Sequence, residues 1–153
     1  MDRLSYDKLL AKASKYCSIT ERCEQDMRKR LAKWQLDSDE IEKMIAYLIQ
    51  EKYLDEMRFA SAFAQDRFRF AKWGKSKINY ELRIKNIPSN IINMAVQSID
   101  PNEYLECLTS LLKAKLKNIR YRNSHEIKGK LYRFGINKGF ESEIVLKVTE
   151  ELI

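Results

Sequence analysis

RLAKWQLDSDEI, residues 30–41, occurs three times in outline. ELRIKNIPSNII (81–92) and KLYRFGINKGFE (130–141) share its frame. Leu31, Leu82 and Leu131 hold the second position, and Leu36, Ile87 and Ile136 stand five residues later. Ile41 and Ile92 follow after five more, where the third copy shifts to Phe140, one residue short. The copies are spaced by 51 and 49 residues. A fixed period of this size marks a repeat architecture, in which each unit buries its apolar face against its neighbour.

Outside the frame the pattern is helical. Leu105, Leu108, Leu112, Leu116 and Ile119 recur at intervals of three and four, as do Ile41, Ile45, Leu48 and Ile49, and Ile91, Ala95 and Ile99. Glycine (4) and proline (2) are scarce, and 44% of the 153 residues are apolar. Leu, Lys, Glu, Ala and Ile dominate, which favours helix. The expectation is an all-α protein of three tandem three-helix repeats, bounded at 1–53, 54–100 and 101–153. Helices are expected near 4–17, 20–33, 38–51, 55–73, 75–86, 88–99, 101–118, 123–134 and 139–152. Ser38 is expected to cap a helix opened by Asp39 and Glu40. Pro88 and Pro101 fall at first-turn positions. Gly135 and Gly139 flank the last junction.

The stretch EKYLDEMRFA (51–60) raises the question of catalysis, because Asp55 and Glu56 are adjacent carboxylates. The repeat frame places them where one helix ends at Tyr53 and Leu54 and the next begins. There Asp55 caps free N–H groups, Glu56 adds charge to the first turn, and Phe59, Ala60, Phe63 and Ala64 form the buried stripe. Catalytic carboxylate pairs need a cleft and contrasting environments. No Ser–His–Asp or Cys–His set, phosphate-binding glycine loop or GK[ST] stands elsewhere. His125 sits in an exposed first turn behind Asn123, without further His or Cys to make a metal site. The expectation is a protein that is not an enzyme and takes no cofactor.

Cys17, Cys23 and Cys107 form no CxxC and lie among core residues, so they read as reduced thiols in a cytoplasmic protein. A Cys17–Cys23 disulfide is the alternative. The N-terminus has no secretory apolar segment, and no run approaches a membrane span.

The net charge of +7 points to an anionic partner. It is concentrated in two runs: residues 65–85 hold 7 basic against 2 acidic side chains, and residues 113–133 hold 8 against 1. In the first, Arg67, Arg69, Lys72, Lys75 and Lys77 interleave with Phe68, Phe70 and Trp73, a mixture suited to phosphates and stacked bases. The alternative is that Phe70 and Trp73 belong to the core and the lysines to a solvated face. Lys77, Glu81 and Lys85 share a helix face, and Arg83 lies off it, placed for a bidentate acidic partner. In the second run, Lys113, Lys117 and Arg120 lie opposite the leucine stripe, and Arg122, Lys128, Lys130 and Arg133 continue the charge. An acidic groove or nucleic acid is one reading of this patch, a solvated surface the other.

KYLDEMRFA (52–60) resembles the signature of the RecX family, in which a Gly-Tyr-Leu-Asp-Asp-type segment precedes an Arg-Phe-Ala helix. DRFRFAKWGKSKINYELRIKNI (66–87) resembles that family's basic stretch, glycine and Ile-x-x-Glu-Leu-Arg helix. RKRLAKWQLDSDEIEKMIAYL (28–48) is similar to its preceding repeat. The resemblance is dense over 20–100 and thin over 101–153. Lys52 replaces a common glycine, Lys75 a common proline after Gly74, and Trp34 a small or basic residue. The resemblance implies an elongated, curved array that regulates recombination and DNA repair. It implies a monomer that binds the RecA recombinase filament and DNA, single-stranded or through the filament, and suppresses ATP hydrolysis and strand exchange. Tyr53, Leu54, Asp55, Arg58 and Phe59 would then be the signature at an inter-repeat junction. A general DNA- or RNA-binding helical module is the alternative function.

Overall fold

A computed structural model describes residues 2–153, and all regular structure among them is helical. Nine helices follow in order among the described residues: α1 (Arg3–Ile19), α2 (Glu24–Lys33), α3 (Ser38–Gln50), α4 (Glu56–Ala71), α5 (Lys75–Ile84), α6 (Ser89–Gln97), α7 (Pro101–Asn118), α8 (Ser124–Asn137) and α9 (Ser142–Leu152). They fall into three trios, and α2 packs on α3, α4 on α5 and α6, and α7 on α8 and α9.

Each trio opens on the same device. Asp2, Asp55 and Asp100 stand at the N-caps of α1, α4 and α7, and each carboxylate accepts the N–H three residues on. The Asp55 Oδ1 to Arg58 N distance is 2.9 Å, so the expected cap is present. The third helix of the first trio differs from expectation. Asp37, not Ser38, is its N-cap, and Asp37 and Glu40 form a reciprocal capping box, which satisfies two backbone donors where a serine would satisfy one. Pro101 occupies the first turn of α7, whereas Pro88 sits one place earlier, at the N-cap of α6.

The three-fold frame is present, but its third copy is one helical turn out of register with the sequence alignment. The residues after α2, α5 and α8 adopt positive φ at Gln35 (64°), Asn86 (60°) and Gly139 (95°). In the following turns, Ile87 N–H bonds Leu82 O at 3.1 Å, and Phe140 N–H bonds Gly135 O at 3.1 Å. Leu31, Leu82 and Gly135 are therefore equivalent, as are Leu36, Ile87 and Phe140, and Ile41, Ile92 and Val145. The displacement arises because α8 has 14 residues where α2 and α5 each have 10. Gly135 replaces a leucine because α9 packs close against it: a Cβ there would lie 2.7 Å from Val145 Cγ1.

Two cores result. Ala13, Cys17, Met27, Leu31, Met44 and Leu48 anchor the first, within α1–α3. The second runs without a break from Phe59 and Phe68 in α4 to Val148 in α9. Leu105 and Ile49 lie outside these cores, exposed, because Tyr104 and Met44 take the buried places on α7 and α3. Cys17 and Cys23 stay free, packed into different cores, so the disulfide alternative is excluded. Burial pushes the Cys23 thiol up to about 11, consistent with a protonated core residue.

Candidate partner interface

Tyr53–Phe59 lies where the first trio meets the second. Leu54 is buried in the first core and Phe59, in the first turn of α4, in the second. Arg58 holds the bend: its guanidinium pairs with Glu21 and donates to the carbonyls of Lys52, at 2.9 Å, and Tyr53, at 3.4 Å. Glu56 does more than charge a first turn. Its Oε1 accepts the Glu24 N–H at 3.0 Å, capping α2, which has no side-chain cap from its own N-cap residue, Cys23. Burial raises the Glu56 carboxyl above its usual range, against the backbone hydrogen bond that lowers it. Lys85 pairs with Asp26 across the same junction at 2.9 Å.

The second junction is built from backbone. Gly74 N–H donates to Lys138 O at 2.8 Å, and Ser76 N–H to Gly139 O at 3.0 Å. A Cβ on Gly74 would overlap the Gly139 carbonyl and the Phe140 nitrogen. Tyr104 completes the start of α5: its hydroxyl oxygen accepts the Lys75 N–H at 2.8 Å, and the hydroxyl donates to Glu141. Burial pushes the Tyr104 hydroxyl well up, and the bond to Glu141 adds to it. The Tyr104 ring stacks between Phe68, 5.7 Å away, and Phe140, 5.0 Å away.

Between these junctions lies the basic and aromatic run. Trp73 is half-buried and meets Phe63 edge-on, with centroids 6.2 Å apart. Arg67 lies 4.8 Å from the Phe63 centroid and 5.2 Å from that of Trp73, and Lys77 sits 4.6 Å over Trp73. These contacts set the charged heads of two cations over aromatic faces. Phe70 is not core: it is 82% exposed at the last turn of α4. Lys72 ends that helix in the left-handed conformation, φ 58°. Lys75 lies 4.7 Å over the Tyr104 ring, and Arg83 lines a shallow groove with Lys75, Asn79 and Tyr80.

In the third trio Lys113, Lys117, Arg122, Lys128 and Arg133 are exposed. α7 ends at Asn118, so Arg120 lies beyond the helix rather than on its face. Its carbonyl accepts Lys130 Nζ at 2.6 Å, and Lys130 also pairs with Glu126 at 3.2 Å. Among the candidate cations of the described residues, only Lys85 and Lys130 stand within 4.0 Å of a carboxylate. Sequence reasoning did not find the Glu56–Glu24 cap or the Gly74–Gly139 contact, because each joins residues from neighbouring repeats. His125 is exposed, and no His, Cys, Asp or Glu cluster among the described residues could hold a metal. No described helix is long and apolar enough to cross a membrane.

The departures at 52 and 75 have local consequences. Lys52 has φ 62°, a conformation glycine adopts without a Cβ penalty. Lys75 keeps the N–H that a proline would lack, and Tyr104 uses it.

Comparison with known proteins gives the family. Residues 55–96 match the family profile described as RecX, second three-helix domain. The regulatory protein RecX of Prosthecochloris aestuarii is 32% identical over 146 residues, covering 95% of this chain and 94% of that one. The regulatory protein RecX of Clostridium botulinum (strain Eklund 17B) is 31% identical over 132 residues, covering 85% of this chain and 61% of that one. The crystal structure of RecX from Lactobacillus salivarius superposes with a TM-score of 0.82 at 21% identity, over 96% of each chain, and so shares the fold. A chain that shares this fold, and nearly a third of its residues along almost the whole of one such relative, belongs to the RecX family of regulatory proteins.

Proposed function

We propose that this chain regulates the RecA recombinase by seating its second and third repeats in the groove of the RecA–DNA filament, slowing ATP hydrolysis and strand exchange. The repeats are taken as 1–53, 54–100 and 101–153. The observation that carries the reading is the density of cations in two runs of a RecX-family chain, 7 basic against 2 acidic side chains over residues 65–85 and 8 against 1 over 113–133. In the first run Arg67, Arg69, Lys72, Lys75, Lys77 and Arg83 have no carboxylate within 4.0 Å. In the second run Lys113, Lys117, Arg120, Arg122, Lys128 and Arg133 likewise have no carboxylate within 4.0 Å. Uncommitted cations over two repeats suit a long anionic groove, where each neutralised phosphate adds affinity and salt dependence. The protein acts as a regulator and carries no catalysis of its own.

The test is RecA ATP hydrolysis on single-stranded DNA, titrated with this protein, with binding to bare DNA measured in the same buffer. Inhibition while bare DNA is mostly free is the expected result. Inhibition only once the DNA is coated would favour a general nucleic-acid-binding module.

A further inference from the structure

The geometry points to Phe70 as a stacking platform for one unpaired base, on a surface that prefers single-stranded to double-stranded DNA. This deepens the function proposed above and rests on its DNA-facing surface. Phe70 is the most exposed of the large apolar residues, at 82%. Its surroundings are cationic rather than apolar. Arg69 precedes it, Lys72 follows it at the helix end, and Arg67 stands one turn before it on the same face of α4. Asp66 also lies one turn earlier and lines a small groove with Thr20, Glu21, Phe63 and Arg67, so one carboxylate stands among these cations.

A protein-docking hot spot is an apolar anchor among other apolar contacts that exclude water. Here a single ring projects from a field of charge, which matches a strand whose bases stack while its phosphates meet cations. Arg67 is pre-set for that role, because its guanidinium already rests on Phe63 and Trp73 and loses little freedom on binding. The backbone at Lys72 is fixed, since its N–H bonds Phe68 O at 3.1 Å and the Trp73 N–H bonds Arg67 O at 3.1 Å, while its side chain stays exposed. A duplex hides its base faces, so a protruding ring gains nothing from it.

The experiment is fluorescence anisotropy of labelled oligothymidylate and of a duplex of equal length, each against the full chain over a salt series. Phe70→Ala is expected to weaken oligothymidylate binding roughly 10- to 100-fold and leave duplex binding and the salt slope unchanged. Phe70→Tyr restores binding. Arg69→Ala weakens both ligands and lowers the salt slope by about one. Phe70 is exposed, so thermal melts of its variants should match the parent. Equal weakening of both ligands by Phe70→Ala, or no weakening, overturns the inference. So does a parent chain that inhibits RecA hydrolysis yet does not bind oligothymidylate, which leaves the proposed function standing. Selective stacking without any effect on RecA supports the inference and removes the proposed function instead.

Discussion

Between the first and second repeats side chains meet, whereas between the second and third the backbones themselves touch. Glu56, Arg58 and Lys85 reach across the first boundary to Glu24, Glu21 and Asp26. Gly74 and Gly139 close the second boundary, with Tyr104 stacked between Phe68 and Phe140. The apolar core stops at the first boundary, apart from Cys23 and Leu54, and runs through the second. Ion pairs with exposed heads are weak and screened by salt. A glycine contact is steric and insensitive to salt. Repeats two and three should therefore behave as one cooperative unit, with repeat one held to it more softly.

The comparison is broken most directly at Gly74. Gly74→Ala is expected to cost roughly 2–4 kcal/mol, since rigid backbone must yield to the new methyl. Urea denaturation at low and high salt should show equal losses, and a wild-type midpoint would remove the steric account. Tyr104→Phe comes next, at about 1–2 kcal/mol, because it leaves the Lys75 N–H without its acceptor. The same melts measure it. Asp55→Ala removes a cap beside the first junction and should cost about 1 kcal/mol. If RecA inhibition vanished with stability intact, Asp55 would be a contact rather than a cap.

Lys85→Met tests the polar junction itself. Its cost should be about 0.2–1 kcal/mol at low ionic strength and should shrink at high salt. The pH response has two signs here. Burial works to raise the Asp26 carboxyl, but hydrogen bonds from Lys85 and Cys23 and nearby positive charge leave it below its ordinary value of 3.8. Its contribution is present above that value and is lost as pH falls through the lowered one. The Glu56 carboxyl is raised, so the folded state holds its proton more tightly and this site favours folding more as pH falls. Asp26→Asn should remove the acid loss and Glu56→Gln the opposing gain, read as the exchange rate of the Glu24 amide against pH. The smallest effect is a gain: Lys52→Gly should add about 0.5 kcal/mol by relieving a left-handed lysine.

The sequence made the repeats legible because Leu31, Leu82, Ile87 and Ile92 report burial by period alone. It misplaced the third copy because an added turn at the start of α8 conserves helical periodicity while shifting every landmark by about one turn. Asp55 was readable as a cap since capping acts within one turn. Glu56 and Tyr104 were not readable, since each meets its partner across a repeat boundary, 32 and 29 residues away. For the candidate interface, the basic run announced itself by composition. That Trp73 packs inward, Phe70 projects, and Lys85 and Lys130 are already paired depends on side-chain direction, which charge counts do not carry.

The borrowed caps give assembly a direction in time. A chain leaves the ribosome N-terminus first, at about 5–20 residues per second. The first turn of α2 waits for Glu56, and that of α5 waits for Tyr104 and Gly139. Each newly made trio is thus left unlatched until part of its successor emerges, and the latch closes from behind. Nascent chains arrested after α6 should be cut readily between Lys72 and Lys77, and should become resistant once Glu141 has cleared the tunnel. Equal resistance at both lengths would show that α5 closes without its neighbour.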